Sequence, residues 1–307
     1  MTGHAVVSAG EFRALFDEVC TWGRWGQRGA LETITADRIA AACALVRAGR
    51  AVSLGLPLAT ELRADNPQPA VHRMTLLHSV DIGSGTVRFA KDYVGVDFHN
   101  DGHSHVDAFS HVAFDGQIYG GQPAGSVTAR GAGTGSIAVL RDGLVGRGVL
   151  LDVPRTRGLP WLEPGDHVLV ADLEAAERAQ DVRVGPGDIL LVRTGHTRRL
   201  AELPPWNTAR AKAGLHPVTA RFLAARGVAA LGSDGNSDTA PSTTEGIGFP
   251  MHVLAVTAMG LHLLDYLSLE DVAAECERAS RWEFLFVAAP LRIEGGTGSP
   301  VNPLAIF

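Results

Sequence analysis

Residues 97–111 read Asp-Phe-His-Asn-Asp-Gly-His-Ser-His-Val-Asp-Ala-Phe-Ser-His. These fifteen residues hold four of the twelve histidines of the chain, together with three aspartates. A folded protein does not gather so many imidazoles and carboxylates unless they share a partner. Neutral imidazoles and carboxylates are the usual ligands of Zn²⁺ and Mn²⁺. The segment therefore indicates a metal site, and its spacing argues against the alternative of a histidine-rich loop in solvent.

The inner part of this segment, His105-x-Asp107-x-x-x-His111, has a spacing that suits one ion. Residues two apart in a strand point to the same side, so His105 and Asp107 can face the same ion. His111 returns to that side if the strand turns into a short helix, because residues four apart share a helix face. We therefore predict a strand, a turn and a first helical turn, with Gly102 allowing a close backbone approach upstream.

The length and composition of the chain bound its organisation. With 307 residues, of which 46% are hydrophobic, the chain can bury a large core. No internal repeat, low-complexity tract or clear linker divides the sequence. We therefore predict a single domain over residues 1–307, in which residues 1–50 form an N-terminal helical extension packed on the rest.

Charge, cysteine content and apolar runs argue against nucleic-acid and membrane partners and indicate the compartment of the protein. The net charge is −6 and the basic residues are scattered, which argues against nucleic-acid binding. Cys20, Cys43 and Cys276 are far apart and odd in number, which suits a reducing cytoplasm rather than a disulfide framework. The start, Met1–His4, lacks the features of a secretory signal, and no apolar run approaches about eighteen residues. We expect a cytoplasmic protein without a membrane partner.

Hydrophobic periodicity gives a coarse map of the elements. Helical spacing predicts helices over residues 10–22, 36–48, 173–180, 217–226, 253–259 and 269–279. Short apolar or alternating runs predict strands over residues 51–54, 73–80, 86–98, 145–153, 188–194, 228–231 and 281–291. Ser268 with Asp271 predicts a capping box for the last helix. The glycine-rich tail, residues 295–303, is expected to run over the surface.

Polar residues after the strand at 228–231 form a second candidate group. Binding residues of α/β proteins gather at such strand ends, so we predict that Ser233 and Asp234 orient substrate or a ligand, although a structural turn explains them nearly as well. A serine nucleophile is not indicated, because the Gly-x-Ser-x-Gly elbow is missing. The glycine-rich loop at 120–135 likewise lacks the spacing of a phosphate-binding loop.

The segment that opened this section also carries a family resemblance. The sequence resembles the cyclase/kynurenine formamidase family of metal-dependent hydrolases, and within it the longer bacterial members. Family members read Thr-His-x-Asp-Ala-x-x-His where this chain has Ser104-His105-x-Asp107-Ala108-x-x-His111. Further matches lie at residues 149–155, 191–195, 231–234 and 281–303. These matches are specific to the family and not to one substrate.

The resemblance implies a fold and an assembly. The expected fold is α/β, a swivelling β/β/α domain with a mixed sheet at its core and flanking helices. The expected assembly is a homodimer or homotetramer. His105, Asp107 and His111 fall on the metal-site residues of the family, which bind one or two divalent ions, Zn or Mn.

The resemblance also implies further ligands. The short formamidases carry a histidine at the position of Asp101, whereas we expect the longer members to carry it at the position of His99. His99 is therefore our predicted upstream ligand, with Asp101 and His103 as alternatives. A distal pair of histidine and glutamate in the family maps onto His252 and, approximately, Asp265. Taken alone, His252 would more often be a core histidine.

The resemblance implies a metal-dependent hydrolase that cleaves a C–N bond, in an amide or cyclic amide of a small aromatic or heterocyclic compound. His111 and His252, where they are not ligands, can carry protons as general acid and base. Phe109 and Phe114 can supply an aromatic pocket wall, although packing explains them equally well. Two alternatives stay open: a metal-dependent cyclase or dehydratase of secondary metabolism acting on a polyketone, and a binding protein that has kept the scaffold.

Overall fold

The structure is a computed structural model that describes residues 6–307, so the expectation about Met1–His4 lies outside the described residues. Within this range the α-helices are α1 Ala9–Val19, α2 Ala36–Cys43, α3 Val153–Arg157, α4 Val170–Ala179, α5 His196–Glu202, α6 Ala220–Arg226, α7 Pro250–His252 and α8 Glu270–Ala279. Short 3-10 helices lie at Gly29–Thr33, Tyr119–Gly121, Ala124–Ser126, Ile137–Leu140 and Pro217–Thr219. A π-helical segment, Val253–Met259, continues α7.

The strands of the described residues are β1 Ala51–Ser53, β2 Val71–Leu76, β3 Lys91–Gly95, β4 His105–Asp107, β5 Gln117–Ile118, β6 Gln122–Pro123, β7 Val127–Thr128, β8 Gly131–Ala132, β9 Leu144–Asp152, β10 His167–Val168, β11 Ile189–Arg193, β12 Gly214–Leu215, β13 Ala230–Ser233, β14 His262–Asp265, β15 Glu283–Ala288, β16 Gly298–Pro300 and β17 Leu304–Ile306.

Nine strands form one mixed sheet in the order β1-β17-β15-β9-β11-β13-β14-β4-β16. The four central strands, β9, β11, β13 and β14, are parallel to one another. The strands on both sides of this centre run antiparallel to their neighbours. Helices packed on the sheet complete the architecture. The predicted α/β fold with a mixed sheet and flanking helices is confirmed.

The sheet is buried on both faces because its central strands are apolar at consecutive positions. Side chains alternate between the two faces of a strand, and in β9 Val149 and Leu151 enter one core cluster while Leu150 enters the other. In β11 Leu190 and Ile189 divide in the same way. Continuous apolar runs of this kind are typical of parallel strands covered on both sides.

The N-terminal helices follow the sequence closely. In α1 the four apolar residues at helical spacing are all buried, namely Phe12, Leu15, Phe16 and Val19. The Thr35 side chain accepts a hydrogen bond from the Arg38 amide and so caps α2, as predicted. The helix ends at Cys43, before the predicted end at residue 48.

Three local predictions were wrong. After β4 the chain makes a turn, in which the His111 amide donates to the Ala108 carbonyl at 3.0 Å, and does not form a helix. The N-cap of α8 is Leu269 and receives no side-chain hydrogen bond, so Ser268 and Asp271 form no capping box. The tail is not a surface loop, because its strand β16 pairs with β4 and is largely buried.

Two further features complete the description. Strands β2 and β3 form a separate antiparallel hairpin whose residues are almost all exposed. Among residues 6–307, no helix is both long enough and apolar enough to cross a membrane.

Candidate metal centre

Strand β4 brings the histidine-rich segment into the main sheet. It lies between β14 and β16, so that His105 pairs with Asp265 of β14 and Asp107 pairs with Gly298 of β16. All three residues of β4 are buried. His105 and Asp107 point to the same face because they are two residues apart in a strand. Sheet pairing therefore sets Asp265, distant in sequence, beside the two predicted ligands.

The imidazoles of the segment converge on the buried carboxylate of Asp107. Its Oδ1 atom lies 3.0 Å from His99 Nδ1, 3.6 Å from His105 Nε2 and 4.0 Å from His111 Nε2. His99 and His111 also stack, with ring centroids 3.8 Å apart. His99, Asp107 and His111 therefore offer three ligand atoms to one ion.

His252 and Asp265 complete the centre from the other side. The Nε2 atom of His252 lies 3.5 Å from Asp107 Oδ2 and 3.3 Å from Asp265 Oδ2. His105, Asp107 and Asp265 form a second group of three ligand atoms close enough to hold an ion. Asp107 belongs to both groups, so the arrangement suits one ion or two ions that share this carboxylate.

A contact on the second ring nitrogen fixes the orientation of three of the imidazoles, those of His99, His105 and His252. His105 Nδ1 lies 2.8 Å from the His103 carbonyl oxygen and donates to it. His99 Nε2 lies 3.1 Å from Thr297 Oγ1 in the tail, and His252 Nδ1 lies 2.5 Å from Asp238 Oδ2. Each contact occupies one ring nitrogen and directs the other towards the carboxylates, as is usual around bound metals.

The donor set fits a divalent cation. Buried carboxylate and imidazole atoms require a partner. Yet Asp107 Oδ1 and Oδ2, Asp265 Oδ2 and His99 Nδ1 have no hydrogen bond of acceptable geometry within residues 6–307. These atoms face one another, and a mixture of imidazole nitrogen and carboxylate oxygen is the ligand set of Zn²⁺ and Mn²⁺.

The pKa shifts of Asp107 and His252 agree with a site that favours positive charge. Burial alone would raise the pKa of Asp107, but the surrounding imidazoles, His111 foremost, hold the pKa well below its usual range. Burial lowers the pKa of His111 to about 4, so its imidazole is neutral at pH 7 and can donate a lone pair. Burial would also lower the pKa of His252, but its hydrogen bond with Asp238 and the nearby negative charge of Asp265 raise this pKa above the usual value.

The centre opens into a cavity of about 380 Å³. One wall carries the candidate ligands, and Asp107 lies buried behind them. The rest of the wall combines apolar and polar side chains, which include Val112, Ala113, Ala209, Phe249, Asn100, Asp101, Lys212, Asn236 and Tyr266. A cavity of this size and composition is suited to a small molecule.

The structure brings the five predicted metal ligands and His252 together, and it places the predicted substrate-binding residues elsewhere. Phe109 is buried and stacks on His262 at 4.3 Å. Phe114 packs on Phe16 at 5.3 Å, beneath α1. Within the described residues neither ring reaches the cavity wall. Packing, which the sequence offered as an equal explanation, accounts for both.

Ser233 and Asp234 also have structural roles. The Asp234 carboxylate accepts hydrogen bonds from the amides of Thr194, Gly195 and His196, and so caps the start of α5. The Ser233 hydroxyl accepts from the Gly235 amide at 3.2 Å. These residues do lie at the end of β13, as predicted, but their side-chain oxygens accept hydrogen bonds from nearby backbone amides.

The alternative upstream ligands point away from Asp107. The Asp101 carboxylate pairs with Lys212 at 3.4 Å, and His103 Nε2 lies 3.4 Å from the Gln68 carbonyl oxygen. Neither residue belongs to a group of ligand atoms close enough to hold an ion within residues 6–307. His99 is the upstream residue that the fold sets beside Asp107.

Sequence reasoning missed four residues that contribute to the centre and its cavity: Thr297, Asp238, Lys212 and Tyr266. Tyr266 could have been found, because it directly follows Asp265. Thr297 and Lys212 lie far from the histidine-rich segment in sequence, and no local motif marks them. Asp238 lies in the polar stretch after the strand at 228–231, which the sequence marked as a second candidate group, but it was not singled out there.

Comparisons with known proteins agree with this architecture. A family model described as "Putative cyclase" matches residues 52–238. A solved structure, the crystal structure of a novel cyclase, shares 30% sequence identity with this chain. The alignment covers 95% of this chain and 99% of the other, with a TM-score of 0.86.

Isatin hydrolases are also similar. That of Roseibium aggregatum is 28% identical over 146 residues, which cover 46% of this chain and 53% of the relative. The match thus spans about half the length of that relative. Isatin hydrolase A from Ralstonia solanacearum, at 22% identity, shares the fold over 83% of this chain and 91% of its own, with a TM-score of 0.59. Because the family model covers more than half of the sequence, the chain belongs to the cyclase family.

Proposed function

We propose that the protein is a metal-dependent hydrolase that cleaves a C–N bond in an amide or cyclic amide of a small aromatic or heterocyclic compound. The observation that carries this proposal is the convergence of four imidazoles and two carboxylates beside a cavity of about 380 Å³. A relative named isatin hydrolase supports the hydrolytic class and a cyclic amide as one form of substrate.

In this proposal His99, His105, Asp107, His111 and Asp265 hold a divalent ion, Zn or Mn, or two such ions sharing Asp107. When bound, the ion polarises a carbonyl oxygen and makes water a competent nucleophile near neutral pH. The protein holds the carbonyl group of the substrate against this wall, with the ring in the cavity. Val112 and Phe249 in the cavity wall provide apolar contacts for that ring.

His252 is the proposed proton carrier. Its Nδ1 is held by Asp238 at 2.5 Å, which leaves Nε2 directed towards the carboxylates and the cavity. Because the pKa of His252 is raised above its usual value, Nε2 can donate a proton to the leaving nitrogen, as imidazolium does in general acid catalysis. His111 is the second candidate for this role, if it does not serve as a ligand.

Elemental analysis combined with chelation tests the proposal. We expect the purified protein to contain about one or two equivalents of Zn or Mn per chain. We expect it to hydrolyse at least one member of a panel of aryl formamides, isatin-like lactams and cyclic imides. Activity should disappear on chelation and return when the metal is restored.

The outcome of the panel decides between reaction classes. Hydrolysis that survives complete removal of the metal would overturn the proposal. A metal-replete protein that leaves the whole panel intact would also count against it. Ring closure of a polyketone without consumption of water would then identify the cyclase alternative.

A further inference from the structure

A second polar cluster lies in the wall of the same cavity and has no part in the chemistry proposed above. It consists of Asp101, Lys212 and Tyr266, here called the Lys212 cluster. The Lys212 Nζ atom lies 3.0 Å from the Tyr266 hydroxyl and 3.4 Å from Asp101 Oδ1. The Lys212 side chain is only 2% exposed. A buried ammonium is costly, so a lysine at this position requires a specific explanation.

The cluster is held in place by its surroundings. The Asp101 carboxylate accepts hydrogen bonds from Thr208 Oγ1, at 2.5 Å, and from the Tyr266 hydroxyl. The backbone of Lys212 is fixed by two hydrogen bonds with Ala240, each of 3.0 Å. The ammonium therefore has little freedom to move out of the wall.

Tyr266 is also locked, in an unusual conformation. Its φ is +54°, in the left-handed region that aromatic residues rarely adopt. Its amide donates to the Gly235 carbonyl at 2.7 Å, and its carbonyl accepts from Ser104 Oγ at 2.5 Å. Strained backbone held by its neighbours is concentrated at functional sites. Here it aims the phenol at Lys212.

The hydrogen bonds of the cluster leave donors for a ligand. A lysine ammonium has three N–H groups, and its contacts with Tyr266 and Asp101 use two. Asn236, also in the cavity wall, accepts a hydrogen bond from the Asp238 amide through Oδ1, so it offers its NH₂ group to a ligand. A ligand that contacts Lys212 and Asn236 must therefore supply acceptors, whereas the Asp101 carboxylate in the same wall already pairs with Lys212, Thr208 and Tyr266.

The Lys212 cluster adjoins the candidate metal centre. The Tyr266 ring lies 6.3 Å from the His105 ring, centroid to centroid, and Tyr266 follows the candidate ligand Asp265 directly. A small aromatic molecule can therefore reach both parts of the wall at once, with its ring against the apolar residues Val112 and Ala113.

We propose that Lys212, together with the amide of Asn236, binds a carboxylate of the substrate, so that the cavity selects aryl amides that carry a negative charge. This inference rests on the proposed function for the position of the scissile amide, but not for the binding of the carboxylate. A carboxylate matches the site because it supplies acceptors only and pairs with an ammonium through charge-assisted hydrogen bonds.

Benzoate and benzamide test the proposal, because they have the same shape and differ in charge. Their affinities for the metal-replete protein are measured by isothermal titration calorimetry. We expect benzoate to bind the wild type about tenfold more tightly than benzamide. Lys212→Met should abolish most of this preference. Lys91→Met, the same substitution in strand β3 outside the cavity wall, should keep it.

A second variant protects the test against misfolding. Lys212→Met leaves the Asp101 carboxylate without its cation, so Asp101→Asn/Lys212→Met is measured beside it, and the melting temperature of each protein is recorded. Equal affinity of the wild type for the two ligands would overturn the proposal. So would a preference for benzoate that persists in both Lys212 variants, because the carboxylate would then bind the metal centre instead.

This experiment distinguishes failure of the proposed carboxylate site from failure of the proposed hydrolytic function. If no amide is hydrolysed, the proposed function fails, and the calorimetry still tests the carboxylate site. If hydrolysis occurs, the ratio of kcat/KM for N-formyl-3-aminobenzoate to that for N-formylaniline provides a second readout. We expect this ratio to fall about tenfold in Lys212→Met and to stay unchanged in Lys91→Met.

Discussion

Asp107 is the residue on which the candidate metal centre depends. Its carboxylate is fully buried, and three imidazole nitrogens lie within 4.0 Å of its Oδ1 atom. Both of its oxygens lack a hydrogen bond in the part of the chain that the structure describes. A buried carboxylate in this position is stable only with a compensating cation. Metal binding and the ionisation of Asp107 are therefore linked.

Replacing Asp107 with asparagine tests this link directly. Asp107→Asn keeps the shape of the side chain and removes its charge, so we expect the variant to lose bound metal and activity together while it stays folded. Asp97→Asn, an exposed carboxylate of the same segment, is the matched control and should retain both. The measurement is metal content by mass spectrometry after gel filtration. Stoichiometric metal in Asp107→Asn would refute the site assignment.

Asp238 is expected to act through His252 as a positioning residue. Its carboxylate holds His252 Nδ1 at 2.5 Å, and loss of such outer partners typically costs about 10- to 100-fold in activity or metal affinity. We expect Asp238→Asn to lower kcat by about this factor with little change in KM, because the substrate does not contact Asp238. Asp17→Asn, on the exposed side of α1, should change neither constant. A purely structural role would change stability and leave the kcat of the folded fraction intact.

At the scale of elements, the C-terminal strand β16 supports the metal centre. Gly298 of this strand faces Asp107 across the sheet. A Cβ atom at Gly298 would lie 2.6 Å from the Val106 carbonyl oxygen and 2.7 Å from His99 Cε1. The absence of a side chain here allows the His99 ring to approach Asp107. The next residue towards the N-terminus, Thr297, contacts the same ring at 3.1 Å.

Gly298→Ala should therefore weaken metal binding. The added methyl group must displace the His99 ring or β4, so we expect faster loss of metal to a chelator and a lower melting temperature. Gly125→Ala is the matched control, because nothing lies within 4 Å of a Cβ atom at that position. The measurement is the rate of metal release to a chromogenic chelator. Equal rates for both variants would contradict the proposed role of β16.

The sequence predicted most elements for a simple reason, which is that their apolar periodicity is local. Helix α1 and the central strands β9 and β11 were found because their own side chains carry the pattern. Strand β16 was missed because glycine, serine and proline carry no such pattern. Only its pairing with β4 makes Gly298–Pro300 a strand.

At the scale of the molecule, the first and last strands of the described chain pair in one sheet. Strand β1 follows the N-terminal helices, and it pairs with β17 at the C-terminus. Strand β17 also pairs with β15, which lies next to the central parallel strands. We therefore propose that residues 6–307 unfold as one cooperative unit, in agreement with the single domain predicted from the sequence.

Phe307→Ala tests this cooperativity. Phe307 is buried and packs on Phe284 at 5.3 Å, so its truncation should lower the free energy of unfolding by about 3–5 kcal/mol. In urea, tryptophan fluorescence and far-UV circular dichroism should give one coincident transition, shifted equally for both probes. Leu291→Ala, at a position that is 58% exposed, should shift it very little. Two separate transitions would contradict a single unit.

The exposed apolar residues of the β2–β3 hairpin suggest a surface through which copies of the chain associate. A hairpin exposed on both faces is marginally stable alone, and this one presents Val71, Met74, Tyr93 and Val94 to solvent. We propose that the protein is a homodimer or homotetramer in which a second copy covers this surface. Light scattering after gel filtration should give two or four times the mass of 32.3 kDa. Val94→Asp should reduce this mass, whereas a monomeric wild type would exclude the proposal.

The sequence by itself determined the ligand-rich segment, the α/β elements and the family, because each depends on the types and spacing of residues that are close in sequence. His105 and Asp107 share a strand face through the two-residue period alone. The family resemblance pointed to His252 and Asp265, but only the tertiary structure decided how these and other distant side chains meet them. Strand pairing sets Asp265 beside His105, the tail brings Thr297 to His99, and the loop after β13 delivers Asp238 to His252. Those contacts arise from chain topology, which no local pattern encodes.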